Sequence, residues 1–162
     1  MVDYQVLSVK QPWASLLLAG VKKYEVRSWA PTYLGYIVLH ASSAKASGMP
    51  ERRAEPLYKT AIRRAHMKDE EAWPRSAIVG VMEVVRIWEP YDDPKRVTAM
   101  DCYLGGGEDD NDYKRWQIGR RWALPTPISC NGALKLWPLP RKAYEPIRRL
   151  RLPKEPYRDL RG

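Results

Sequence analysis

Residues 11–27, reading QPWASLLLAGVKKYEVR, constrain this chain more than any other stretch. Pro12 suits the first turn of a helix, where its missing N–H costs nothing. Trp13, Leu16, Leu17 and Gly20 follow at i, i+3, i+4 and i+7, the spacing of one helical face. Gly20 is placed to end that helix in a left-handed conformation. Tyr24 to Trp29 then alternates as a strand does, with Tyr24, Val26 and Ser28 on one face and Glu25, Arg27 and Trp29 on the other. A short helix is therefore followed at once by a strand. Lys22 sits in the turn between them, and Glu25 and Arg27 are same-face neighbours.

The flanking segments say what this unit packs on. Tyr4 to Val9 reads as a first strand and Gly35 to Ala41 as a buried one. Leu57, Tyr58, Ala61, Ile62 and Ala65 predict an amphipathic helix beginning at Pro56, with Lys59, Arg63 and Arg64 outside. Ala77 to Trp88 is the strongest strand, and alternation places its Glu83 with Val79, Val81 and Val85. Trp116 to Leu124 leads into a final strand over Ala133 to Trp137. Strands outnumber helices, and no internal repeat is present. The expected fold is α+β: a small, partly closed mixed β-barrel with two or three helices. One domain spans residues 1–140, with a helical insertion at about 44–74 and a mobile acidic loop at about 89–113. Residues 141–162 form a basic tail whose prolines predict an extended path. The three glycines at 105–107 are not a phosphate loop, because no Gly-Lys-Ser/Thr follows them.

Composition narrows the partners. The 162 residues include no Phe, seven Trp and ten Tyr, so each aromatic brings a polar group that needs a partner when buried. The two cysteines, Cys102 and Cys130, suit a reducing compartment or one optional disulfide, not a disulfide framework. His40 and His66 share no spacing with them that would hold zinc, and no metal or cofactor is expected. The apolar run at Leu16 to Val21 is too short to cross a bilayer, and no secretory leader is legible, so a cytoplasmic monomer is expected. The net charge is +9, of which the residues from Arg141 onward carry +5. Such a surface favours polyanions such as RNA, and equally keeps a protein soluble.

Taken together, Gln11-Pro12-Trp13-Ala14, the pattern Gly20-x-Lys22-x-x-Glu25-x-Arg27, the run Gly35-Tyr36-Ile37-Val38-Leu39-His40-Ala41, Ile78-Val79-Gly80 ahead of Glu83, and Gly132 to Trp137 resemble the ASCH domain family. The family's fold is similar to the PUA domain of RNA-modifying proteins. The resemblance covers about Leu7 to Pro138. It implies a cleft between the first helix and the sheet, and a nucleoside or nucleic-acid ligand. Some small members hydrolyse the amide of N4-acylated cytidines such as N4-acetylcytidine. Others resemble RNA-binding modules, and ribonuclease activity is proposed for some. In the hydrolases a lysine, a threonine three residues on and a distant glutamate act together. Lys22 matches the lysine, Glu25 stands where threonine would be, and Glu83 is the best match for the glutamate, ahead of Glu89 and Glu108.

The same residues carry a chemical argument of their own. Amide cleavage needs a nucleophile, a proton shuttle and a group that stabilises the oxyanion. A lysine attacks only as the neutral amine, which apolar burial favours. Lys22, Glu25 and Glu83 are thus the catalytic candidates, with Glu25 taking a proton and Glu83 returning one to the leaving nitrogen. Trp13, Arg27 and His40 are the substrate-binding candidates. Each has a plainer reading: Lys22, Glu25 and Arg27 as a surface ion-pair set, Trp13 as a helix anchor, and His40 as a satisfied core histidine. Trp116 and Trp122, interleaved with Lys114, Arg115, Arg120 and Arg121, fit either a nucleic-acid contact or a strand edge with snorkelling arginines. The leading reading is metal-free hydrolysis of an N4-acylated cytidine; a non-catalytic RNA-binding module and a ribonuclease remain open.

Overall fold

Residue types with restricted, branched or apolar side chains dominate Ala77–Trp88, and this run forms the middle of the sheet. The computed structural model describes residues 3–45, 56–67, 69–90, 113–154 and 157–162. Most of the acidic loop expected at 89–113, including Glu108, lies outside the described residues. In chain order the elements are β1 (Gln5–Gln11), α1 (Trp13–Leu18), β2 (Tyr24–Arg27), β3 (Tyr33–Lys45), α2 (Pro56–Arg64), β4 (Ala77–Trp88), β5 (Lys114–Ser129), β6 (Leu136–Pro138), α3 (Tyr144–Arg149) and β7 (Arg158–Asp159).

The architecture is α+β, a PUA-like sheet curled into a half-barrel. The strand order is β2-β5-β4-β3-β1-β6, and β7 pairs with the start of β3. β1 runs parallel to β3, with Val6 opposite Val38, and the other pairings are antiparallel. The parallel pair requires a crossover, which α1 and β2 supply.

Two cores lie on the two faces. On one, Trp13, Leu16 and Leu17 of α1 and Tyr58 and Ala61 of α2 pack against Leu7, Val9, Ile37, Leu39, Met82, Val84 and Trp116. On the other, Val6, Val38, Val81 and Leu124 meet Leu139, Ala143 and Ile147. Each fully buried Leu, Ile or Val contributes about 1.5–3 kcal/mol.

The tail departs from its expected extended path. A 3₁₀ turn at Arg141–Ala143 runs into α3, and Leu139, Ala143 and Ile147, spaced by four, form its buried stripe. Pro146 is tolerated because it stands in the first turn.

Strand alternation in β4 also departs from the simple reading. Ile78 pairs with His40 and Ile128, whereas Gly80 pairs with Leu39 and Ala123, so Val79 has no opposite number on either side. This bulge shifts the alternation by one. Val79 joins the α1-side core and Val81 the opposite one, so Glu83 shares its face with Val81 but not with Val79.

Candidate functional site

Gln11 fixes where α1 starts. Its side chain is fully buried; Oε1 accepts from the Ser15 N–H at 3.1 Å, and Nε2 donates to Ser15 Oγ at 2.9 Å and to the Pro74 carbonyl at 2.8 Å. A free helix N–H is thereby satisfied, and the connection into β4 is tied to the helix. Gly20, at φ +78°, ends the helix, and the Val21 and Lys22 N–H groups both donate to the Leu16 carbonyl. This return turns the chain directly into β2.

Lys22 and Glu25 are 3% and 5% exposed, which removes them from the surface ion-pair reading. The Lys22 ammonium lies 5.9 Å from the Trp13 ring centroid, a cation–π distance. Glu25 is directly opposite Trp116 in the β2–β5 ladder, and Trp116 belongs to the α1-side core. Its Oε1 accepts from the Val26 N–H at 2.9 Å, and its Oε2 meets Arg27 Nη2 at 3.3 Å. Arg27 Nη2 also donates to the Ser8 carbonyl at 2.9 Å. β2 and β1 are far apart in the sheet order, so this bond spans the gap that the curled sheet leaves open. Lys22 over Trp13 and Glu25 opposite Trp116 thus adjoin the same core cluster, and Arg27 is ion-paired with Glu25.

Glu83 is not brought to it. It is directly opposite Tyr36, on the face that carries Val81 and α3. There Arg120 grips it in two places, with Nε to Oε1 at 3.2 Å and Nη2 to Oε2 at 2.7 Å. That hydrogen bonding holds the Glu83 carboxyl below the usual range and outweighs burial, which acts the other way. Glu89 is exposed and pairs with Lys114 at 3.4 Å.

His40 is on the Glu83 face too and is 1% exposed. Its Nε2 is 2.9 Å from the Cys130 carbonyl, an acceptor, which assigns the proton to Nε2. Nδ1 then accepts from Ser8 Oγ at 3.0 Å, and Ser8 Oγ accepts from Trp137 Nε1 at 3.1 Å. Burial lowers the His40 pKa, against a smaller opposing effect of the Cys130 hydrogen bond.

Of the aromatic–basic alternation in β5, Trp116 is fully buried, and its indole N–H donates to the Trp29 carbonyl at 3.0 Å. It is core and not a stacking platform. Trp122 is half-buried with the Arg120 guanidinium 5.4 Å from its ring. Arg121 has a role that sequence reasoning missed. Its Nε donates to the Leu17 carbonyl at 2.6 Å, Nη1 to Gly119 at 2.8 Å and Nη2 to Lys22 at 3.3 Å. The end of α1 and the backbone of Lys22 are thus held by one guanidinium.

The model of the ASCH domain matches residues 7–125, well over half of the chain. The chain belongs to the ASCH domain family. Within this ASCH chain, 79 residues (49% of its length) are 30% identical to the human protein Activating signal cointegrator 1, and the mouse protein of that name is 28% identical over 79 residues. The match covers 13% of each relative's own length. Among the described residues of the ASCH chain, no three of His, Cys, Asp and Glu converge as metal ligands, and no helix is long and apolar enough to cross a membrane.

Proposed function

We propose that this chain is a PUA-like module that binds single-stranded RNA and receives one base at the Lys22–Glu25–Arg27 site. The observation that carries the reading is a buried ammonium over Trp13, followed three residues later by a buried carboxylate opposite Trp116. A carboxylate accepts from an exocyclic amino group, and an ammonium donates to a ring nitrogen or carbonyl. Cytosine offers both on one edge, as RNA-binding modules that read unpaired bases require. The charge of +9 supplies the sequence-independent part of the affinity. Fluorescence anisotropy with a labelled cytidine-rich oligonucleotide tests it. Affinity should fall steeply with salt, and Lys22→Ala should weaken it about tenfold, the range of one lost charged hydrogen bond. Unchanged affinity in Lys22→Ala would sink the assignment of the site.

A second reading, hydrolysis of N4-acylated cytidine, draws support from Lys22 itself, which stands at the lysine of the pattern that resembles the family's amidohydrolases and is buried against an indole. Glu83 is across the sheet and gripped by Arg120, so this reading assigns the proton transfer to Glu25. Conversion of N4-acetylcytidine to cytidine, followed by ultraviolet absorbance and insensitive to EDTA, would establish this activity. No conversion at high enzyme concentration would dismiss it.

A further inference from the structure

The β2–β3 connection, the outer end of β4, the first residue of β5 and β7 line a cavity of about 440 Å³. None of Lys22, Glu25 and Arg27 lines it. Part of its wall is apolar, including Leu34 and Ile87, which pack on the α1-side core. Among the described residues the charged part is three cations, Arg86, Lys114 and Arg158, and one carboxylate, Glu89. A volume of this size falls within the ~300–1,000 Å³ range of small-molecule sites.

We propose that this cavity binds a nucleotide phosphate, with the sugar and base lying on the apolar wall. The charge excess of the described lining fits a phosphomonoester, which carries about −1.5 to −2 at neutral pH. Arg86 is pre-set for the task. Its guanidinium lies 3.6 Å from the Trp88 ring centroid, and stacking engages the flat face while the N–H groups point outward in the plane. Trp88 is itself fixed by its indole N–H donating to Gln117 Oε1 at 3.0 Å. Arg158 is brought in by β7. It is opposite Leu34 in the β3–β7 ladder, the Leu160 N–H donates to the Thr32 carbonyl at 2.8 Å, and Tyr157 stacks on Tyr33 at 5.4 Å. Lys114, paired with Glu89 at 3.4 Å, keeps further ammonium donors for the incoming phosphate.

The phosphate has two sources with the same chemistry: a free nucleotide, or one nucleotide of a single-stranded RNA. Lys114 is directly opposite Arg27 in the β2–β5 ladder, so an RNA lying along that edge would reach both places. Calorimetric titration of the full chain with cytidine monophosphate, cytidine and inorganic phosphate separates the contributions. The monophosphate should bind at least tenfold tighter than cytidine, and Arg158→Gln should reduce its affinity at least tenfold with unchanged circular dichroism and melting temperature. Lys114→Gln should act in the same direction. A monophosphate that binds no better than cytidine, or equally well to wild type and Arg158→Gln, overturns the proposal. Displacement of bound monophosphate by an oligonucleotide assigns the site to an RNA chain; failure to displace assigns it to free nucleotide, and either result supports the cavity. The titration reads phosphate binding directly, so it stands whether or not RNA binding at Lys22 is found.

Discussion

Arg121 on β5 holds the backbone of Lys22 by a hydrogen bond to its carbonyl, while the same guanidinium closes the last turn of α1 through Leu17. The Leu17 carbonyl also accepts from the Gly20 N–H at 3.1 Å, so the guanidinium is its second donor and places a cation at the negative end of the helix dipole. Burial lowers the Arg121 pKa, the cost of placing a charge there. Arg121→Leu removes the charged donor from these carbonyls, a loss of about 1.5–3 kcal/mol. The expected melting temperature falls by about 5–10 °C. Arg121→Lys should not rescue it, because a point charge cannot reach three carbonyls as a planar fork does. A variant melting with the wild type would show that Arg121 does not position this turn.

Gly80 leaves no room for a side chain. A Cβ there would lie 2.3 Å from the Trp122 carbonyl oxygen and 2.6 Å from Leu18 Cδ1. The first contact is backbone of the neighbouring strand, which moves only with the sheet. Gly80→Ala should therefore cost about 3 kcal/mol or more, at or beyond the upper end of ordinary overpacking. Urea denaturation measures this; a loss below about 1 kcal/mol would mean that the strands separate easily at the bulge.

Acid should weaken the chain through Glu83. Its folded pKa lies below its unfolded value because Arg120 stabilises the carboxylate. The unfolded state then binds more protons between the two values, so stability rises with pH there. The contribution is complete above about pH 4.3, the ordinary value, and is lost as pH falls through the folded value beneath it. Glu83→Gln should be less stable than wild type at neutral pH and should show a shallower loss below pH ~4. Parallel acid profiles for the two proteins would contradict the pairing.

His40 acts in a separate window. Burial depresses its pKa, so its contribution is present above the ordinary value of about 6.5 and declines as pH falls through the folded value. Protonation would turn Nδ1 into a donor facing the Ser8 hydroxyl, which already accepts from Trp137. Nitrogen chemical shifts of the imidazole should report the Nε2–H tautomer at neutral pH and titrate below about 6.5. Titration above that value would refute the buried neutral state.

The elements that announce themselves by period were legible: α1 from Trp13, Leu16 and Leu17, α2 from Pro56, and β4 to the residue. Lys22, Glu25 and Arg27 fell together as local spacing implied, since a turn and four strand residues leave them little freedom. Glu83 did not, because one bulge at Val79 reverses which face an alternating strand presents, and no residue in that run signals the extra step. The helix α3 was hidden by prolines, although the Leu139, Ala143 and Ile147 spacing was there to be read. Arg121 was illegible in principle: its acceptors are backbone carbonyls, and a sequence does not show which of those a fold brings within reach of a side chain.

β2 is four residues long, stands at one end of the sheet and pairs with β5. An element laddered on one side, with the side-chain bond from Arg27 to the Ser8 carbonyl on the other, opens more readily than β3 or β4, which are laddered on both. Amide hydrogens of residues 24–27 should accordingly exchange with solvent well before those of the central strands, through local opening that leaves the two cores intact. Lys22 and Glu25 would then be uncovered by the release of a single short strand, and the free energy a ligand must overcome to reach them is that of this local event and not of the domain.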